Sequence, residues 1–149
     1  MSDPVGEALV KLFRELHERV RGQVRDLDPG TLNWRPLPKA NSIAVLVTHM
    51  MGSEIDLIRN VRSVPNTRDR EAEFRAESDA ARLLELIDTT EREVEHQLGA
   101  LTAEQLAAVV DRGERGTRPG IEWVLFSYGH SREHLAHIEL TKQLYDSRT

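Results

Sequence analysis

Apolar residues recur along most of this chain with the 3.6-residue rhythm of amphipathic helices. From Val5 the positions Leu9, Leu12, Phe13, Leu16, Val20, Val24 and Leu27 form one stripe, and Asp28-Pro29-Gly30 ends it. Residues 28–41 contain Pro29, Pro36 and Pro38 and read as an ordered loop, anchored by the Trp34 indole. Asn41 or Ser42 can cap a second helix carrying Ile43, Leu46, Val47, Met50, Leu57, Ile58 and Val61. Its first turns, residues 43–47, are apolar on every side, which predicts burial all round. A third stripe from about Ser78, with Leu83, Leu84, Ile87, Val94 and Leu98, ends near Gly99. Thr102-Ala103-Glu104-Gln105 has the form of a capping box and opens a short extra helix over residues 102–110. Three glycines and Pro119 make residues 111–120 a loop, and a last long helix follows over about residues 121–145. No strand pattern competes with these readings.

The connections predict a topology. Residues 63–77 are polar and charged, and fully extended they reach roughly 50 Å, enough to run back along a 20-residue helix of about 30 Å. Such a crossover lets the second and third helices lie parallel. The expected architecture is an all-α four-helix bundle with a long crossover in the middle and a short extra helix before the last.

Composition narrows the class. The 149 residues are 39% hydrophobic and 30% charged, with a net charge of -5 and both signs interspersed, so one domain over residues 1–149 is expected. No face reads as a nucleic-acid footprint. The opening Met-Ser-Asp-Pro leads into a charged amphipathic stretch without a signal peptide, and no apolar run is long enough to span a bilayer. Cysteine is absent, which removes disulfides, thiolate ligands and a cysteine nucleophile. A cytoplasmic protein is expected.

The chemistry concentrates in histidine. His130, His134 and His137 fall within Gly129-His130-Ser131-Arg132-Glu133-His134-Leu135-Ala136-His137 on the last helix. Four residues apart, His130 and His134 project from one face about a turn apart, a spacing at which two imidazoles can hold one metal ion. The row Trp123, Phe126, Ser127, His130, His134, His137, Thr141 and Leu144 places them close to the buried stripe. His130 and His137 are about 10 Å apart along the axis, so His137 is read as a supporting residue. His-Ser-Arg-Glu-His spells the H-x-x-E-H of one peptidase class, yet too little chain follows His134 for its distant acidic ligand. A third ligand must come from upstream. His96 lies opposite its apolar stripe, His17 sits on the flank of its own, and His49 stands in the uncharged stretch 43–51, the best candidate. Ser53 and Glu54 are weaker candidates for contact with a nucleophile or for an outer-shell role. Arg112, Arg115 and Arg118 make the preceding loop locally positive, read as a solvated loop.

The segment Leu32-Asn33-Trp34-Arg35-Pro36 through Asn41-Ser42-Ile43-Ala44-Val45-Leu46-Val47-Thr48-His49, ending in Glu54, resembles the first signature of the DinB-like superfamily. His130 and His134 resemble its late-helix H-x-x-x-H, in a form close to the YfiT-type members. The resemblance implies an up-down-down-up bundle and a divalent zinc or nickel ion held by His49, His130 and His134. It also implies a dimer. Some relatives transfer or isomerise with a low-molecular-weight thiol such as mycothiol or bacillithiol, and others are described as metal-dependent hydrolases.

The leading expectation is a metal-dependent enzyme acting on a small molecule. Its three imidazoles would let the ion activate a water or a low-molecular-weight thiol, for hydrolysis or thiol S-transfer. The rival is a non-catalytic dimeric helical module that binds a metal or another ligand.

Overall fold

The computed structural model describes residues 3–148; Met1, Ser2 and Thr149, which the single-domain expectation includes, lie outside the described residues. Among them the chain forms helices α1 (Pro4–Val24), α2 (Pro29–Leu32), α3 (Ile43–Val61), α4 (Arg70–Glu73), α5 (Ala80–Gly99) and α6 (Ala103–Ala107). A two-stranded ribbon, β1 (Val109–Asp111) with β2 (Thr117–Pro119), precedes the last helix, α7 (Gly120–Asp146). The first six helices each begin on a side chain that accepts a backbone N–H: Asp3, Asp28, Ser42, Asp69, Asp79 and Thr102. Such caps contribute about 0.5–2 kcal/mol each by satisfying an orphan donor. Thr102 and Gln105 form the full capping box.

Contacts between the long helices fix their directions. Arg14 meets Glu95 at 2.7 Å and Arg21 meets Asp88 at 2.9 Å, so α1 and α5 are antiparallel. Arg59 meets Glu93 at 2.7 Å and Arg62 meets Gln97 at 3.2 Å, so α5 and α3 are parallel. Gly120 abuts Val61 at one end of the α3–α7 pair, and the His49 and His134 rings meet at the other, so these two are antiparallel. Phe13 on Tyr128 and Arg19 on Glu139 show α1 and α7 to be parallel. The bundle is therefore up-down-down-up, and the crossover that carries α4 joins its two parallel central helices. These largely exposed ion pairs set register but contribute only about 0–1 kcal/mol each.

Stability comes from the core beneath them. Leu9, Phe13, Leu16, Val20 and Val24 of α1 pack with Met50, Met51, Leu57 and Ile58 of α3, Leu83, Ile87 and Val94 of α5, and Val124, Leu135 and Ile138 of α7, all at most 2% exposed. Each such side chain contributes about 1.5–3 kcal/mol by leaving water. Residues 43–47 are buried on every side, as their composition predicts. The 28–41 segment covers that end, with Leu32 buried and Trp34 edge-on to Tyr145 at 5.4 Å.

The structure departs from the apolar pattern in several places. Val5 and Leu12 are 38% exposed, outside the core stripe of α1. The expected loop 28–41 begins with a turn of helix, because Asp28 caps it and Pro29 suits its first position. The short helix expected over 102–110 ends at Ala107, and residues 109–119 form a ribbon where the end of that helix and a loop were expected: β-branched Val109 and Val110 favour extension. Gly113 (φ 65°) and Gly116 (φ 105°) supply the positive-φ positions of its turn.

Candidate metal centre

Two helices bring the three predicted ligands together. His49 on α3 and His130 and His134 on α7 each offer a ring nitrogen, and these atoms lie within 4.8 Å of one another. The rings stand nearly edge to face: 73° for His49–His130, 84° for His49–His134 and 89° for His130–His134. Nε2 of His130 and Nε2 of His134 are 3.1 Å apart. Two nitrogens bound tetrahedrally at 2.0–2.1 Å from one ion would be separated by roughly 3.4 Å, so the pair is already close to a shared-ion spacing.

Each ring is tied differently. Nδ1 of His49 is 3.0 Å from Glu73 Oε1, in a contact that is nearly buried on both sides. Arg68 grips the same carboxylate through Nε and Nη2, both at 2.8 Å. Arg68 Nη2 also lies 3.3 Å from His49 Nδ1. The Glu73 carboxylate can only accept, so the His49 Nδ1–H donates to it and Nε2 keeps a lone pair for the site. His134 Nδ1 meets His137 Nδ1 at 3.2 Å, which puts His137 behind His134. His137 itself is exposed. Nδ1 of His130 is buried and has no hydrogen-bond partner among the described residues.

The electrostatics favour neutral rings. Burial lowers the affinity of His49 for a proton, and with the charges of Arg68 and Arg70 it outweighs the opposing carboxylate of Glu73. His130 is lowered by burial and then by His49. His134 is pushed down to about 4 by burial and by its three histidine neighbours. Three neutral imidazoles with converging lone pairs, and no thiolate or carboxylate among them, suit a borderline divalent ion such as zinc or nickel. The residues thus fit the group that the sequence resemblance implies.

His96 is exposed. His17, expected at the flank of its stripe, is fully buried, and its Nε2 is 2.6 Å from Glu54 Oε1. The other oxygen of Glu54 accepts from Ser131 Oγ at 2.7 Å. Glu54 therefore faces the core and joins α1, α3 and α7 directly below the histidine cluster, away from the cleft. Ser53 does line that cleft, a hollow of about 340 Å³ that also exposes His49 and His130. Phe126 and Leu144 are 51% and 42% exposed, so the histidine row borders the buried stripe of α7 and leaves the rings half-buried.

Three features escaped the sequence reading. Glu73 and Arg68 sit in an aperiodic polar segment and carry no local signal. Gly52 does carry one, since glycine inside a helix costs about 0.5–1 kcal/mol relative to alanine and calls for a reason. A Cβ there would collide with the Glu73 carboxylate, so its absence is what lets that group approach α3 beside His49.

Among known proteins, the family model described as the DinB superfamily matches residues 12–138. No curated protein matches the chain. A conserved protein from Enterococcus faecalis has a similar structure, with a TM-score of 0.82 at 15% identity over 99% of each chain. YfiT from Bacillus subtilis superposes with a TM-score of 0.72 at 15% identity, over 96% of this chain and 89% of that one. It is described as a probable metal-dependent hydrolase with an unusual four-helix bundle topology. No helix among the described residues is long and apolar enough to cross a membrane.

Proposed function

The chain belongs to the DinB superfamily, and from that premise we propose that it is a single-domain metal-dependent enzyme whose His49, His130 and His134 hold one zinc or nickel ion. The convergence of three ring nitrogens from two helices within 4.8 Å carries this reading. The metal dependence in the description of YfiT supports it. An ion bound there supplies a Lewis acid that makes a water or a low-molecular-weight thiol nucleophilic near neutral pH. The chain's own residues prepare for that. Glu73 holds the His49 tautomer, His137 backs His134, and burial keeps the rings unprotonated. Ser53 stands on the cleft wall, where its hydroxyl can orient a reacting molecule. The reaction is hydrolysis or thiol S-transfer on a small molecule, performed by a cytoplasmic homodimer.

Metal analysis of the untagged protein tests the site. Near-stoichiometric zinc or nickel is expected, and His49→Ala, His130→Ala and His134→Ala should each lose it; metal-free preparations after growth in both metals would refute the centre. Loaded protein is then assayed with ester and amide substrates and with thiols plus electrophiles. Metal without turnover would favour a non-catalytic metal-binding module.

A further inference from the structure

Two of the three histidines, His49 and His130, form one side of the cleft. Most of the rest is guanidinium: Arg68 and Arg70 from the crossover, and Arg112, Arg115 and Arg118 from the ribbon and its junctions. No carboxylate lines it among the described residues. Within ion-pair distance these five cations meet three acids, Asp56, Glu73 and Glu122. Asp56 is divided among Arg112 at 3.0 Å, Arg68 at 3.5 Å and Arg115 at 3.8 Å. Even with Glu73 on Arg68 and Glu122 on Arg118, three acids face five guanidiniums, and Arg70 has no ion pair among the described residues.

Arg68 and Arg112 are held at the base of this wall, their side chains 9% and 5% exposed, while Arg70, Arg115 and Arg118 stand at its exposed rim. Arg112 donates to Asn60 and Asp56 at 3.0 Å each. Its guanidinium and that of Arg118 lie over Trp123, 5.0 and 5.5 Å from the ring. Trp123 is itself pinned by its Nε1 donating to Val110 O at 3.0 Å. Burial disfavours the charge on Arg112; Asp56 opposes that effect, whereas Arg115 and Arg68 add to it. Crowded like charges turned toward a hollow are relieved by an anion, and the planar guanidinium fork matches carboxylate and phosphate oxygens.

We propose that this wall is an anion subsite, so that the molecule meeting the three-histidine centre carries a carboxylate or phosphate group, received by Arg70, Arg115 and Arg118 with Arg112 beneath them. The volume of about 340 Å³ lies at the small end of ligand sites, which selects a small metabolite. The role of the neighbouring histidines rests on the metal-dependent reading; the subsite itself needs no ion.

Calorimetric titration of inorganic phosphate and of succinate into the full chain, first chelator-treated and then zinc-loaded, separates the two. Chelator-treated wild type should bind at least one of these anions saturably. Arg115→Gln/Arg118→Gln should weaken that binding at least tenfold while taking up zinc as the wild type does. No binding of either anion by the chelator-treated wild type, or binding that the double variant leaves unchanged, overturns the subsite. Anion binding that persists in a protein unable to take up zinc upholds the subsite and removes the metal centre. In the loaded protein, mercaptosuccinate against 2-mercaptoethanol, and a carboxylated ester against its neutral analogue, locate the anion on the thiol or on the electrophile. An advantage in either pair that disappears in the double variant supports the proposal, and no advantage in either overturns the claim that the reacting molecule carries the anion.

Discussion

Replacing Glu54 by alanine removes the acceptor at the centre of the buried His17–Glu54–Ser131 network. His17, Glu54 and Ser131 are all 0% exposed, so water cannot replace the lost partner without entering the core. The change orphans two donors, the His17 Nε2–H held at 2.6 Å and the Ser131 hydroxyl held at 2.7 Å. Each buried polar group left without a partner costs about 1–3 kcal/mol, which gives roughly 2–6 kcal/mol for the pair. His17 fares worst, because its Nδ1 already lacks a partner among the described residues. Against a total of about 5–15 kcal/mol, that loss is large. Urea unfolding of the metal-free protein, followed by far-UV circular dichroism, reads it as a lowered midpoint with an unchanged slope. The double variant His17→Leu/Glu54→Leu should recover much of the loss, because apolar groups can replace a polar pair once both partners are gone. Ser131 loses the same acceptor in both variants, so its share of the loss, about 1–3 kcal/mol, should remain. A cost below about 1 kcal/mol for Glu54→Ala, or strictly additive single-variant costs in the double-mutant cycle, would refute the network as a buried hydrogen-bonded unit.

Glu73→Ala should lower zinc affinity about 10–100-fold with all three histidines retained, read by competition with a chromophoric chelator. Gly52→Ala should do the same by displacing the Glu73 carboxylate, and strain in the nearly buried Glu73–Arg68 pair should offset any gain in helix propensity; unaltered affinity in both variants would refute the role of Glu73. In the metal-free protein, His134 binds a proton only near pH 4, whereas the unfolded chain does so near 6.5. Protonation therefore favours unfolding: the stability due to the neutral ring is complete above about pH 6.5 and is lost as pH falls toward about 4. The advantage of wild type over His134→Gln in urea midpoint should accordingly shrink between pH 7 and pH 5, and a constant or growing advantage contradicts the neutral-ring assignment.

How much of this was legible depended on whether a residue's role was local. The stripes of α1, α3 and α5 announced their helices because burial on one face leaves a 3.6-residue imprint. His130 and His134 were legible as a pair because four residues on one helix fix their spacing. His49 was legible through the uncharged stretch around it and the family resemblance. The Glu73–Arg68 clamp was not, because it lies in an aperiodic segment and is placed only by the folding of the crossover across α3. Glu54 read as a possible outer-shell acid, and its burial became visible only when His17 and Ser131, far away in sequence, arrived on either side. The ribbon escaped because two three-residue strands are too short to impose an alternating pattern against neighbouring glycines.

The antiparallel docking of α3 on α7 has a consequence for the order of assembly. His130 and His134 become neighbours as soon as one helix forms, so a nascent α7 already presents a two-pronged, weak clamp. His49 is roughly eighty residues away along the chain, and its nitrogen joins the others only when the whole bundle has closed. An ion held by all three would thus act as a latch on the finished topology. Its binding free energy would add to global stability, and loading would follow folding.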